Sequence, residues 1–225
     1  MISIGENMSV EENITEVLQE LGNTKLVCVT KTVDPERINE AIKAGATIIG
    51  ENRVQEYEEK YASLLPSERH LIGHLQTNKV KKAVQFFDVI QSVDSLKVAQ
   101  EIDKRAEEAA KVQNIYLQVN IGAEPQKYGF MQNEIEQAIE EIASLNNVRV
   151  TGMMCIPPYV PSEQARLYFR KMKGLFDELK ASTQEGYDNI DLQDLSMGMS
   201  GDYKVAIEEG ATIVRIGSAI FGSRK

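Results

Sequence analysis

The chain has 225 residues, of which 42% are hydrophobic and 26% charged, with a formal net charge of −9 at pH 7. That length supports one large core or two small ones, and the absence of a Pro/Gly/Ser-rich linker or a charge-block boundary favours one. A sequence pI near 4.9 implies an acidic surface that repels phosphate backbones. Nucleic acid is therefore excluded as a partner unless a local basic patch overrides the balance, and only NKVKK, Asn78 to Lys82, is basic in a concentrated way.

The N-terminus, MISIGENMSVEENITEVLQEL, is acidic and helical in pattern, with Ile14, Val17, Leu18 and Leu21 forming an apolar stripe between Val10 and Leu21. It has the features of neither a secretory leader nor a transit peptide, and no long apolar span follows, so the expected location is cytoplasmic. The run Leu26-Val27-Cys28-Val29 reads as a buried strand, Leu26–Thr30. Asp34 then supplies an N-cap and Pro35 a first-turn proline for a helix over Asp34–Ala44 with Ile38, Ala41 and Ile42 on one face. Lys31 consequently sits at the carboxyl end of a strand, in a strand-to-helix loop.

The same alternation continues along the chain. Strands are predicted at Thr47–Gly50, His70–Gly73, Val89–Ser92, Ile115–Asn120, Val148–Met154, Leu192–Ser196 and Thr212–Ile216. Helices are predicted between them at Val54–Leu64, Asn78–Phe86, Ser95–Lys111, Met131–Leu145, Ser162–Lys180 and Gly201–Glu209. The clearest helix carries Ala165, Tyr168, Phe169, Met172, Leu175, Phe176 and Leu179 on one face. Strict alternation implies parallel strands covered by helices, and eight units is the count that closes a (β/α)8 barrel; an open doubly wound sheet is the rival. AIKAGATIIGEN at Ala41–Asn52 and AIEEGATIVRIG at Ala206–Gly217 share a helix end, a glycine stop and a short apolar strand, so an early unit and the last are built alike. Only seven helices follow strands in this reading, and the N-terminal helix is expected to cover the gap.

Cys28 and Cys155 lie in apolar strand-like runs without CxxC or CxxH spacing and read as buried small hydrophobes. His70 and His74, in RHLIGHLQTNK, are four apart, a spacing that could hold a metal on a helix. Gly73 and the apolar pair Leu71-Ile72 instead suggest a strand end and loop, and no third ligand is near.

In such a barrel the site forms at the carboxyl ends of the strands, and a phosphate commonly sits on the loops after strands seven and eight. These loops are SMGMSGD, Ser196 to Asp202, and RIGSAIFGS, Arg215 to Ser223. Glycine lets backbone N–H groups approach an anion, Ser196, Ser200 and Ser218 add hydroxyl donors, and a helix starting near Gly201 would aim its positive end at the site. Strand one adjoins strand eight in a closed barrel, which sets Lys31 beside the phosphate loops. A lysine there can act as an electrostatic clamp or form a Schiff base with a carbonyl on the phosphorylated ligand. Pyridoxal 5′-phosphate fits both contacts.

CVTKTV, GENRVQE, HLIGHLQTNKVK, QSVDS, VNIGAEPQKYGF, GMMCIPP, DLSMGMSGDY and RIGSAIFG resemble, in order and over essentially the whole chain, the pyridoxal phosphate homeostasis proteins. The resemblance implies one alanine-racemase-like barrel domain over residues 1–225, a TIM barrel of PLP fold type III with the extra N-terminal helix. It implies that Lys31 carries the cofactor as an aldimine, that Ser196, Ser200, Gly217 and Ser218 hold its phosphate, and that Arg215 faces the pyridine nitrogen. By the same resemblance Asn52, His74 and Met154 line the pocket. The family commonly has threonine where Ser218 stands, so the hydroxyl is kept and the methyl lost. Lys79 in QTNK and Lys127 in PQKYG are either a second, weaker surface for the phosphate ligand or salt-bridged rim lysines.

The function implied is intracellular homeostasis of the cofactor, buffering or transferring it without an established catalytic activity, by a monomer that serves PLP-dependent apoenzymes and needs no metal, membrane or nucleic acid. The alternative is a small amino-acid racemase using Lys31 as one base. Fold-related racemases take the second base and part of the site from an additional β domain and a dimer partner, for which a chain ending at Lys225 leaves no room. Tyr128, Tyr159 and Tyr203 are the residues near motifs that could replace that base.

Overall fold

The computed structural model describes residues 9–183 and 185–222. Helix α1, Val10–Leu21, begins at a capping box in which Ser9 and Glu12 satisfy each other's backbone N–H groups. It ends at Gly22, whose φ of 57° turns the chain into the first strand. The alternating units that follow are β1 Lys25–Val29, α2 Pro35–Lys43, β2 Ile48–Glu51, α3 Val54–Lys60, β3 Glu68–Leu71, α4 Val80–Phe86, β4 Val89–Val93 and α5 Leu96–Glu108. The second half consists of β5 Gln113–Val119, α6 Ile135–Ile142, β6 Val148–Cys155, α7 Ser162–Thr183, β7 Ile190–Met199, α8 Tyr203–Glu208, β8 Ile213–Ile216 and α9 Ser218–Phe221. The strands form a closed barrel in sequence order with parallel neighbours throughout, β8 pairing back onto β1. Closure removes the open doubly wound sheet from consideration.

Side-chain alternation along the strands creates two cores. Val27, Ile48, Ile72, Val89, Tyr116, Met154 and Ile213 fill the barrel interior. The outward residues of the same strands, Cys28, Ile49, Leu71 and Ile90 among them, join the helix stripes in the larger outer core. Burial pushes both cysteine thiols up to about 12, so Cys28 and Cys155 are packing residues. Among the described residues no helix is long and apolar enough to cross a membrane, and no His/Cys/Asp/Glu group has metal-binding geometry.

The N-terminal helix takes the position expected of it. Asn13 Nδ2 donates to the Ile220 carbonyl at 2.9 Å, and Tyr203 and Lys204 both bond to Glu20, so α1 bridges α8 and α9 beside β1. The chain does contain a helical turn after the eighth strand, α9, that the apolar spacing of RIGSAIFGS does not announce. Several predicted boundaries shift. The Val54–Leu64 helix stops at Lys60 and continues as a 3₁₀ turn, Tyr61–Ser63. The helix predicted from Asn78 begins with a 3₁₀ turn, Thr77–Lys79, and Met131–Leu145 contracts to α6. The strand predicted at Leu192–Ser196 extends to Met199, because Gly198 with φ 91° lets the backbone pass where a Cβ would meet Ala206 at 2.6 Å.

Candidate functional site

β1 pairs with β8 in the register Val27↔Arg215 and Cys28↔Ile216, which carries Lys31, just past the end of β1, beside Gly217 and Ser218. At this rim a cavity of about 610 Å³ opens, with Lys31, Asn52, Ser200, Arg215, Gly217 and Ser218 on its wall. Val29, Ile72, Ile156, Tyr159, Met199 and Phe221 supply its apolar surface. Polar groups on a mostly apolar wall are the usual composition of a small-molecule site. Gly217 N–H donates to Ser200 Oγ at 3.4 Å and so ties the loops after β7 and β8 together. A Cβ at Gly217 would stand 3.1 Å from the Val29 carbonyl oxygen, a tight contact that glycine avoids where the backbone comes close to β1.

Three of the sequence-predicted residues stand apart from this wall. Met154 is fully buried in the barrel interior, in the cluster against which Val29 and Ile156 pack. Ser196 is fully buried, accepts a hydrogen bond from Arg215 at 2.8 Å and donates one to Gln91 Oε1 at 2.7 Å. His74 is exposed outside the cavity, its ring stacked on Tyr128 with centroids 3.5 Å apart and its Nδ1 2.8 Å from Asp94 Oδ2. It belongs to a neighbouring groove of about 540 Å³ that also holds Lys79 and shares Asn52 with the cavity. Lys127 bonds to the Pro157 carbonyl at 2.9 Å and pairs with Glu124 at 2.5 Å. Of the tyrosines, only Tyr159 touches the cavity wall; Tyr203 is buried against Glu20.

Arg215 is 4% exposed, and its second guanidinium nitrogen donates to the Cys155 carbonyl at 2.9 Å. Burial draws its pKa below the ordinary value. Asp202, whose carboxylate accepts from Met199 N–H at 2.6 Å, is pushed up by burial despite the nearby guanidinium. Asn52 Oδ1 is buried and has no hydrogen-bond partner, an acceptor available to an incoming donor.

Sequence reasoning missed the groups behind Lys31. Glu51, fully buried, accepts a hydrogen bond from Thr30 and pairs with Lys60 at 2.6 Å; Lys60 also donates to the Thr30 carbonyl. Glu56 accepts from Thr32 N–H, at a non-glycine residue with φ 60°. The signal was present in GENRVQE, where a glutamate ends an otherwise apolar strand. Gln91 likewise interrupts the apolar run VIQSV and turns out to be wholly buried.

Residues 8–225 match the family model described as the N-terminal domain of alanine racemase. The pyridoxal phosphate homeostasis protein of Aquifex aeolicus is 48% identical over 204 residues, covering 89% of this chain and 87% of that protein. Its namesake from Escherichia coli is 36% identical over 206 residues, covering 88% and 85%. PipY of Synechococcus elongatus, solved with PLP bound, superposes with a TM-score of 0.86 at 32% identity, over 95% of this chain and 100% of PipY. An alanine racemase of Clostridium difficile shares the fold, with a TM-score of 0.75 at 18% identity, over 96% of this chain and 56% of the racemase.

Proposed function

The chain belongs to the alanine racemase N-terminal domain family and, within it, to the pyridoxal phosphate homeostasis proteins, and from that membership we propose that it binds pyridoxal 5′-phosphate to buffer or transfer it. The observation that carries this reading is the meeting of Lys31, Arg215, Ser200 and Ser218 on one cavity wall. The donor set fits the cofactor: an amine for its aldehyde, hydroxyls and loop N–H groups for its phosphate, and a guanidinium for its ring nitrogen. The orphaned Asn52 Oδ1 leaves one further acceptor for a ligand donor.

Lys31 is the residue that would hold the aldehyde covalently. Ser200, Gly217 and Ser218 would hold the phosphate, with Asn52 beside the ring. Ser196 acts through Arg215, Met154 supports the floor, and His74 acts at the outer rim. When bound, the cofactor supplies a conjugated ring that can withdraw electrons from a carbon attached to the captured amine. Arg215 limits that use. Its guanidinium donates hydrogen bonds and keeps its protons, so it can orient a ring nitrogen without protonating it. This favours storage over chemistry, with cytoplasmic apoenzymes that need the cofactor as recipients and a monomer as the working form. Lys127 is a rim lysine held by the Pro157 carbonyl and Glu124, and Lys79 lines the outer groove.

The test is to load the purified protein with pyridoxal 5′-phosphate, record visible absorbance, and add single enantiomers of amino acids under a chiral assay. The expected result is a stoichiometric yellow complex that activates an apoenzyme and produces no multiple-turnover racemisation. A colourless protein that retains no cofactor overturns the binding assignment, and sustained racemisation overturns the carrier assignment. Light scattering should give one chain per particle; a stable dimer with interface residues in the cavity would speak for the racemase.

A further inference from the structure

A continuous line of hydrogen bonds crosses the barrel interior from the cavity to the opposite rim. Arg215 donates to Ser196 Oγ at 2.8 Å, Ser196 donates to Gln91 Oε1 at 2.7 Å, and Gln91 Nε2 lies 2.6 Å from His70 Nδ1. His70 Nε2 lies 2.9 Å from Glu68 Oε1, at the amino end of β3. Ser196 and Gln91 are fully buried and His70 is 1% exposed, whereas the Glu68 side chain is 49% exposed.

With Gln91 Oε1 toward Ser196 and its Nε2 toward His70, the two ends give every link one direction. A guanidinium only donates, so Ser196 Oγ accepts from it and its own proton goes to Gln91 Oε1. A carboxylate only accepts, so His70 carries a proton on Nε2, and the Gln91 amide, a donor, faces Nδ1 as its acceptor. The two deductions meet at Gln91, whose single carbonyl and single amino group satisfy both. All the bond dipoles therefore point the same way, from a buried cation at the cavity to an anion at the far rim, the arrangement in which successive hydrogen bonds strengthen one another. The His70 hydrogen bond holds the Glu68 carboxyl below the usual carboxylate range. Arg215 is buried, with the Asp202 carboxylate as its nearby opposite charge, and its hydrogen bonds to Ser196 and the Cys155 carbonyl set the direction of the guanidinium. Tyr116 meets the His70 ring edge-on, with centroids 6.1 Å apart, and its hydroxyl donates a hydrogen bond to Asp194.

We propose that Ser196, Gln91 and His70 are positioning residues, a polarised relay that orients Arg215 toward the ring nitrogen of the ligand and is anchored by the hydrogen-bond acceptor of Glu68 on the opposite rim. The ligand part rests on the proposed function; the relay itself does not.

The experiment uses Glu68→Ala and Glu68→Gln, changes at a half-exposed position far from the cavity, with Gln91→Leu as a third variant. In ligand-free protein, nitrogen NMR should show His70 protonated at Nε2 and an Arg215 guanidinium signal protected from exchange. Glu68→Ala should shift both signals and weaken pyridoxal 5′-phosphate retention by about threefold, and Glu68→Gln, which keeps the acceptor, should restore most of the loss. Gln91→Leu should weaken retention by about tenfold, equivalent to ~1.4 kcal/mol. A His70 proton on Nδ1, or wild-type Arg215 signals and retention in Glu68→Ala, overturns the relay. Failure of wild-type protein to bind the cofactor would instead remove the functional reading, while the ligand-free signals still decide the relay.

Discussion

Lys60 Nζ lies 2.6 Å from a Glu51 carboxylate oxygen and 2.9 Å from the Thr30 carbonyl oxygen, so a buried ion pair grips the backbone immediately before Lys31. Glu56 extends the grip, pairing with Lys60 at 3.2 Å and accepting from Thr32 N–H just after Lys31. Thr32 has φ 60°, a left-handed conformation that a β-branched residue adopts only when its surroundings hold it there.

Lys60→Met should therefore cost about 3–5 kcal/mol of stability, the scale of leaving one member of a buried pair uncompensated. It should also slow capture of pyridoxal 5′-phosphate by Lys31, because the loop loses its anchor. Burial already pushes the Glu51 carboxyl above its ordinary value of 4.5, and removing the lysine raises it further. With a folded-state pKa above the unfolded one, the native state binds the extra proton, so stability is retained at low pH and falls as pH rises through the raised value. Urea titrations at several pH values check this; a variant as stable as wild type at neutral pH would show that the pair does not anchor the loop.

Lys31→Ala should eliminate the borohydride-stable adduct with the cofactor. Noncovalent binding should persist, since Ser200, Ser218 and Arg215 remain on the cavity wall. Mass spectrometry of the reduced wild-type complex locates the modified residue. An adduct on Lys79 or Lys127 alone would move the primary site outside the cavity.

Ser200→Ala and Ser218→Ala should each weaken cofactor retention by roughly 1–2 kcal/mol, the scale of a charge-assisted hydrogen bond partly replaced by water. Ser200 should matter more, because it also accepts from Gly217 N–H and joins the two loops, whereas Ser218 is exposed. Equilibrium dialysis gives both dissociation constants. Wild-type values for both variants would mean that the phosphate is held elsewhere.

The barrel was legible in the sequence because strand and helix periodicities alternate cleanly and glycine stops, such as Gly45 and Gly210, punctuate both ends of the repeat. Boundaries were less legible: the one-turn helix Ser218–Phe221 is too short to build an apolar period, and the 3₁₀ turns at Tyr61–Ser63 and Thr77–Lys79 continue the helical pattern without being α-helix. The convergence of Lys31 with the loops after β7 and β8 follows from strand order alone. Depth does not. Whether Ser196 faces the cavity or the interior depends on where β7 ends, and that strand runs three residues beyond its predicted limit through Gly198. The groups that brace the site, Glu51, Lys60, Gln91 and His70, come from separate strands and helices, so no local spacing brings them together.

The final prediction concerns the N-terminal helix, which lies outside the cavity yet bonds to one of its walls. Asn13 is 8% exposed and its Nδ2 donates to the Ile220 carbonyl at 2.9 Å. That carbonyl lies three residues after Gly217 in the same turn as Ser218. Asn13→Ala should cost about 1–2 kcal/mol in stability and also weaken cofactor retention, since α9 loses a tether to α1. Ile14→Ala, a cavity in a fully buried part of the same helix, should cost about 2–5 kcal/mol. The two variants separate anchoring from mere destabilisation: per unit of lost stability, Asn13→Ala should weaken retention more than Ile14→Ala. Equal retention losses at equal stability would show that α1 supports the barrel as a whole and holds no special purchase on the phosphate loop.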